Sequence, residues 1–200
     1  VAVLKSAQHT SRTGRLRLAR FPLVFFVMAI AGLLTRNVQA QTSADEYHVK
    51  AAYILNFARF VEWPADVLPA GSPMTIALVG DDPFGGRLDE LLQGKTANGH
   101  PIRLRHFHWN EVMTQCEIVF ISSSEEAHLA QILRFLGTQS VLTISDIERF
   151  SLRGGVIELV MVGNRVRFDI DRKPAIAARL SISSKLLNVA RAVHETGVAP

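Results

Sequence analysis

An α/β layered domain is the fold class that the sequence predicts: a mainly parallel sheet with an antiparallel edge hairpin and helices on both faces. Three observations predict it. Short apolar runs that read as buried strands alternate with helical segments through the middle of the chain, the pattern of strand–helix–strand units. Two late apolar runs, 156–162 and 165–170, are joined by Gly163 and Asn164, a two-residue hairpin signal. The composition, 48% hydrophobic and 20% charged over 200 residues, is that of a globular protein and argues against disorder or a fibrous repeat.

The elements follow in order. Residues 1–40 predict a signal peptide, leaving 41–200 as a single domain. Residues 1–20 are basic and polar, 21–34 (FPLVFFVMAIAGLL) are an uncharged apolar run of 14 residues, and the small residues Val38 and Ala40 precede Gln41. A membrane anchor is the alternative, but a helix of that length reaches about 21 Å against a hydrocarbon core of ~30 Å. The mature chain is therefore expected to be exported and not to span a membrane. Ser43 and Glu46 fit a capping box that opens a helix running to about Trp63, where Pro64 ends it. Residues 74–79 (MTIALV) read as a buried strand stopped by Gly80, and the turn at Asp81, Asp82 and Pro83 leads into a short helix around 84–92. A turn-rich connection precedes a half-exposed strand at 102–107 (IRLRHF). A buried strand follows at 117–121 (EIVFI), then a helix at 125–136 introduced by three serines. Residues 141–144 (VLTI) form a strand ended by Ser145 and Asp146. After the hairpin, Ile182, Leu186, Val189 and Val193 recur at helical spacing. They predict a closing helix that covers one sheet face together with the first.

The formal net charge of +4 invites a nucleic-acid reading, and its distribution rejects it. Six of the 22 basic residues and none of the 18 acidic ones lie in 1–40, so from Gln41 onward 16 bases face 18 acids, a net −2. A mildly acidic body is a poor match to a phosphate backbone. The single cysteine, Cys116, cannot form an internal disulfide in the oxidising compartment that export implies. It reads as a core residue, the alternative being a thiol that links two copies.

Enzyme chemistry finds little support. The sequence has no Gly-x-Ser-x-Gly elbow and no P-loop ending. His100, His106 and His108 cluster, and His106 and His108 would share one face of a strand, but no third metal ligand sits at a diagnostic spacing beside that pair. Asp169 and Asp171 share a strand parity beside Arg167 and Arg172 and read as an exposed ion-pair edge. A non-enzyme without cofactor or metal is expected.

Two candidate sites stand out. On the first helix, Tyr47, Ala51, Ile54, Leu55, Ala58 and Val61 form one apolar stripe, and Val49, Tyr53, Phe57 and Phe60 a second. At about 100° per residue the stripes lie roughly 140° apart. A surface helix needs one apolar face, so the second is either core or a partner surface, with Trp63 at its end; aromatic residues of this kind anchor interfaces. The other site is the rim at the strand carboxyl ends, where Asp81, Asp82, Ser122, Ser123, Ser145 and Asp146 follow predicted strands. Open parallel sheets bind ligands there, although serine and aspartate at such places are also ordinary caps and turn formers.

The chain resembles the YfiR-like family of exported bacterial proteins. The matching stretches are 50–64 (KAAYILNFARFVEWP), 79–85 (VGDDPFG), 116–122 (CEIVFIS), 141–146 (VLTISD), 154–160 (GGVIELV), 167–170 (RFDI) and 182–187 (ISSKLL). They keep family order over the mature chain. The resemblance implies a periplasmic regulator that represses a membrane-bound diguanylate cyclase by binding its periplasmic part, so lowering cyclic-di-GMP signalling. It implies no catalytic residues. A homodimer through the same helix face is a second use of that surface, and a small-molecule sensor using the strand-end rim is the alternative function.

Overall fold

β-Branched and aromatic runs set the sheet. The computed structural model describes residues 45–137 and 139–195, and the expectations for 1–40 and for the Ser43 cap lie outside them. Among the described residues the strands are β1 (Val61–Glu62), β2 (Met74–Val79), β3 (Thr96–Ala97), β4 (His100–Phe107), β5 (Ile118–Ile121), β6 (Leu142–Ser145), β7 (Ile157–Val162), β8 (Arg165–Asp171), β9 (Ser181–Ile182) and β10 (Ala192–His194). One eight-stranded sheet has the order β10-β8-β7-β6-β5-β2-β4-β3, and β1 pairs separately with β9. Strands β4, β2, β5, β6 and β7 are parallel, and β7 and β8 form the expected antiparallel pair. The fold class is the one predicted. The five parallel strands follow the doubly wound order, with the first strand, β2, flanked by β4 and β5.

The helices are α1 (45–60), α2 (Arg87–Leu92), α3 (Leu129–Leu136), α4 (Arg172–Ala177) and α5 (Ser184–Val189). The two-residue period of the strands divides the core into two layers. Ile76 and Leu78 of β2 and Phe120 of β5 face a layer filled by Ile54, Phe57, Leu88, Ala175 and Leu186 from α1, α2, α4 and α5. Ala77, Val79, Val119 and Ile121 face Leu129, Ile132 and Leu136 of α3. The first and closing helices thus share one face. The crossover from β4 to β5, residues 108–117, contains no helix. The right-handed rule places that crossover on the α3 side, so β4 lacks a helical cover there.

Several expectations need correction. Helix α1 ends at Phe60 rather than Trp63, because Val61 and Glu62 pair with Ile182 and Ser181 and the Phe60 carbonyl accepts the Ser183 N–H at 2.9 Å. The closing helix is broken in three. Ile182 belongs to β9, α5 starts at a Ser183 cap, and Ala190 turns extended into β10, which pairs with β8. Val189 and Val193 are accordingly exposed. Asp169 and Asp171 are buried rather than an exposed edge. Asp169 receives both Nε and Nη2 of Arg191, and Asp171 caps α4 by accepting the Lys173 N–H at 2.9 Å. Their strand parity matches that of Glu158, whose carboxylate accepts the Arg149 and Ser151 N–H groups and the Ser151 hydroxyl at 2.8–3.1 Å. This side of the sheet buries polar groups by satisfying them. The 3₁₀ turn that Glu158 holds, Phe150–Arg153, presses Phe150 on Gly155, where a Cβ would lie 2.0 Å from the ring. Cys116 is buried, as expected of a core residue, and burial pushes its thiol up to about 11.

Phe57 is the main correction on α1. It lies three residues after Ile54 and four before Val61, so it falls on the buried stripe, and its ring meets that of Phe168 edge-on at 5.0 Å. It is fully buried, whereas Phe60 is 37% exposed. Phe57→Ala is expected to cost about 3–5 kcal/mol of folding stability, and Phe60→Ala less than about 1 kcal/mol, read from urea denaturation midpoints at unchanged slope.

Candidate functional site

The rotation of α1 on the sheet decides which of its side chains remain available, and a buried charge sets that rotation. Lys50 is 3% exposed. Its Nζ lies 2.7 Å from Asp146 Oδ2 and 2.5 Å from Glu46 Oε1, four residues earlier on the same helix. The Tyr47 hydroxyl donates to the same Asp146 oxygen at 2.8 Å, and the Lys50 ammonium stands 4.3 Å from the Tyr47 ring centroid. Burial, then the negative charge of Asp146, pushes the Tyr47 phenol well above its ordinary range. Its ring packs edge-on against Phe84 at 5.5 Å, joining the α1 start to the loop after β2.

The rim residues lie close together, and most of their polar atoms serve the protein itself. Asp82 accepts the N–H groups of Phe84 and Gly86 at 2.8 Å, an Asx turn. Ser145 donates to the Ile121 carbonyl at 2.7 Å and accepts from the Ile147 N–H. Asp146 holds Lys50; its Oδ1 is buried with no hydrogen-bond partner among the described residues. The Asp81 N–H donates to Ser124 Oγ at 3.0 Å. Ser122 is buried, its N–H donating to the Val79 carbonyl, while Ser123 is exposed. The hydroxyl of Ser122 makes no cap bond, although the sequence placed a cap there. Over Gly80, a Cβ would lie 2.5 Å from Ser124 Oγ and 2.6 Å from Glu125 Cγ. The crevice between the ends of β2 and β5 is thus occupied by the chain's own side chains.

The second stripe of α1 divides. Phe57 is in the core. Val49 and Phe60 are exposed, and Tyr53 is half-buried, stacked on Phe57 and edge-on to Phe168. Trp63 is half-buried and its Nε1 donates to the Glu117 carbonyl at 3.1 Å, so its ring anchors the chain after α1. Val49 and Tyr53 form one wall of an open groove of about 590 Å³. The opposite wall is the β7–β8 hairpin, with Met161, Val166, Arg165 and Arg167. Met161 is 41% exposed and its neighbour Val162 47%. The groove carries Asp45 and Glu46 on the helix side and the two arginines on the hairpin side. An apolar floor between opposite charges can seat a partner segment in a defined direction. The sequence reading missed the hairpin wall. Its signal was available in Met161 and Val162, apolar side chains beside a polar two-residue turn.

The three histidines do not converge: His100 Nδ1 lies 2.8 Å from the Ser72 carbonyl and His106 Nε2 3.4 Å from Asp89. Among the described residues no group of three or more His, Cys, Asp or Glu could hold a metal ion, and no helix is long and apolar enough to cross a membrane.

The class defined by this sheet is a doubly wound α/β domain, with an open groove beside α1. The chain belongs to the YfiR/HmsC-like family, whose profile matches residues 47–191. No curated protein matches the sequence. A solved structure described as a conserved domain protein from Vibrio cholerae O1 biovar El Tor is similar at 12% identity and a TM-score of 0.49, covering 64% of this chain. This chain spans 57% of that protein's length.

Removing one partner of a buried ion pair strands the other. Lys50→Met, which strands the buried Asp146 carboxylate, is expected to destabilise the protein by about 3–5 kcal/mol, and the Lys50→Met, Asp146→Leu double variant by less, since it leaves no buried charge. Chemical denaturation of the three proteins checks the order.

Proposed function

We propose that this protein is exported to the periplasm and represses a membrane-bound diguanylate cyclase by binding its periplasmic part, so lowering cyclic-di-GMP signalling. The observation that carries the reading is the open groove between α1 and the β7–β8 hairpin, on a chain of the YfiR/HmsC-like family. Val49, Tyr53 and Phe60 of α1 and Met161 of the hairpin are the proposed contacts; Trp63 anchors the chain after α1 through the Glu117 carbonyl. Repression requires that the protein bind the inactive cyclase more tightly than the active one, because a ligand with equal affinity for both states shifts nothing. The groove also supports a second occupant, another copy of this chain.

Val49→Asp with Met161→Asp puts charges on both walls of the groove. The double variant is expected to keep its melting temperature within a few degrees and to lose about 30-fold or more in affinity for the cyclase, as truncation of interface anchors does. Co-purification from detergent-solubilised membranes and cellular cyclic-di-GMP levels read the effect. Full co-purification and unchanged cyclic-di-GMP with the variant would place the contact elsewhere. Loss of a dimer in sedimentation, with cyclase binding intact, would assign the groove to self-association.

We also propose that residues 1–40 are a cleaved export signal. Mass spectrometry of the periplasmic protein is expected to find an N-terminus at Gln41 or within a residue or two. A membrane-bound product that retains 21–34 would make the protein an anchored one.

A further inference from the structure

A further open space lies away from the strand carboxyl ends. It is a cleft of about 640 Å³ at the opposite end, by the amino ends of β2, β5 and β6. That volume suits a small molecule. Its existence follows from the topology, since the β4–β5 crossover has no helix to lay over this part of the sheet.

Arg103 and Arg105 line the cleft from β4. Two residues apart on a strand, they share a face and stand about 6.6 Å apart along it. Both are exposed. The arginines with carboxylate partners within 4 Å are Arg153, Arg172, Arg179 and Arg191; among the described residues neither Arg103 nor Arg105 makes an ion pair. Arg105 stacks over the Phe107 ring at 4.6 Å, which orients its guanidinium. The acid of the cleft, Glu117, is 6% exposed and turned to the Thr75 N–H at 2.6 Å. Burial raises its pKa. Cys116 beside it stays a neutral thiol. Pro69, Pro73 and Val141 supply an apolar wall. The cleft therefore combines two unpaired cations with an apolar surface.

We infer that this cleft binds a small organic anion, its carboxylate or phosphate group held by Arg103 and Arg105 and its apolar body resting on the proline–valine wall. The inference is independent of the cyclase partner and of the α1 groove.

Isothermal titration calorimetry with benzoate, benzamide and inorganic phosphate tests it on the mature chain. Benzoate is expected to bind, neutral benzamide at least tenfold more weakly, and phosphate more weakly than benzoate. Arg103→Gln with Arg105→Gln is expected to lower benzoate affinity at least tenfold. Each single variant, and Arg103→Lys with Arg105→Lys, provides the same reading should the double variant fold poorly: loss with glutamine and partial retention with lysine. Absence of binding by both benzoate and phosphate overturns the proposal, as does benzoate affinity unchanged in the glutamine variants. Benzamide binding as tightly as benzoate overturns the role of the guanidiniums, and phosphate binding as tightly as benzoate overturns that of the apolar wall.

Discussion

A lysine ammonium inside the protein must be neutralised, and that requirement organises the face of the sheet under α1. Lys50 meets Asp146 at the carboxyl end of β6, nearly a hundred residues away in sequence. An unpaired charge there costs several kcal/mol, so the helix has little freedom to rotate. With Lys50 fixed inward, Ile54, Phe57 and Val61 follow at four, seven and eleven residues and enter the core. Val49 and Phe60 are left outside by the same geometry. The groove that follows is a consequence of the ion pair as much as of any apolar pattern. The pair's value lies in specifying one arrangement, since hydrophobic residues of similar size could fill the same volume.

A second layer of buried polar groups does the same for the late part of the chain. Glu158 holds the 3₁₀ turn after β6, Asp171 starts α4, and Asp169 draws Arg191 back to β8, which positions β10. Acid side chains on β7 and β8 thus take the role that apolar ones take on β2 and β5.

The strands and their parallel arrangement were legible in the sequence because each is a short apolar run bounded by turn residues, as at 74–79 before Gly80. The hairpin at Gly163 and Asn164 was legible for the same reason. Residues whose fate depends on a distant partner were not. Phe57 fits either of two spacings on α1, and Phe168, more than a hundred residues on, decides which. Asp169 and Asp171 look exposed beside Arg167 and Arg172, yet Arg191 and the α4 amides claim them. The helical spacing from Ile182 to Val193 is misleading because β1 and β8 offer backbone pairing at both ends of it. Of the candidate site, the helix wall was readable from Val49 and Tyr53. The hairpin carried its own apolar signal in Met161 and Val162, but nothing local shows that two segments over a hundred residues apart line one groove.

The open flank of β4 has a consequence for solubility. Beyond Ile102, whose N–H donates to the Lys95 carbonyl at 3.0 Å, the outer edge of β4 has no strand beside it among the described residues. Free backbone N–H and C=O groups in an extended row invite another strand to join. Arg103, Arg105 and His106 lie along that row. The two arginines on this edge strand make edge-to-edge stacking of identical copies electrostatically unfavourable, so the chain discourages its own fibrous assembly where its sheet is least protected.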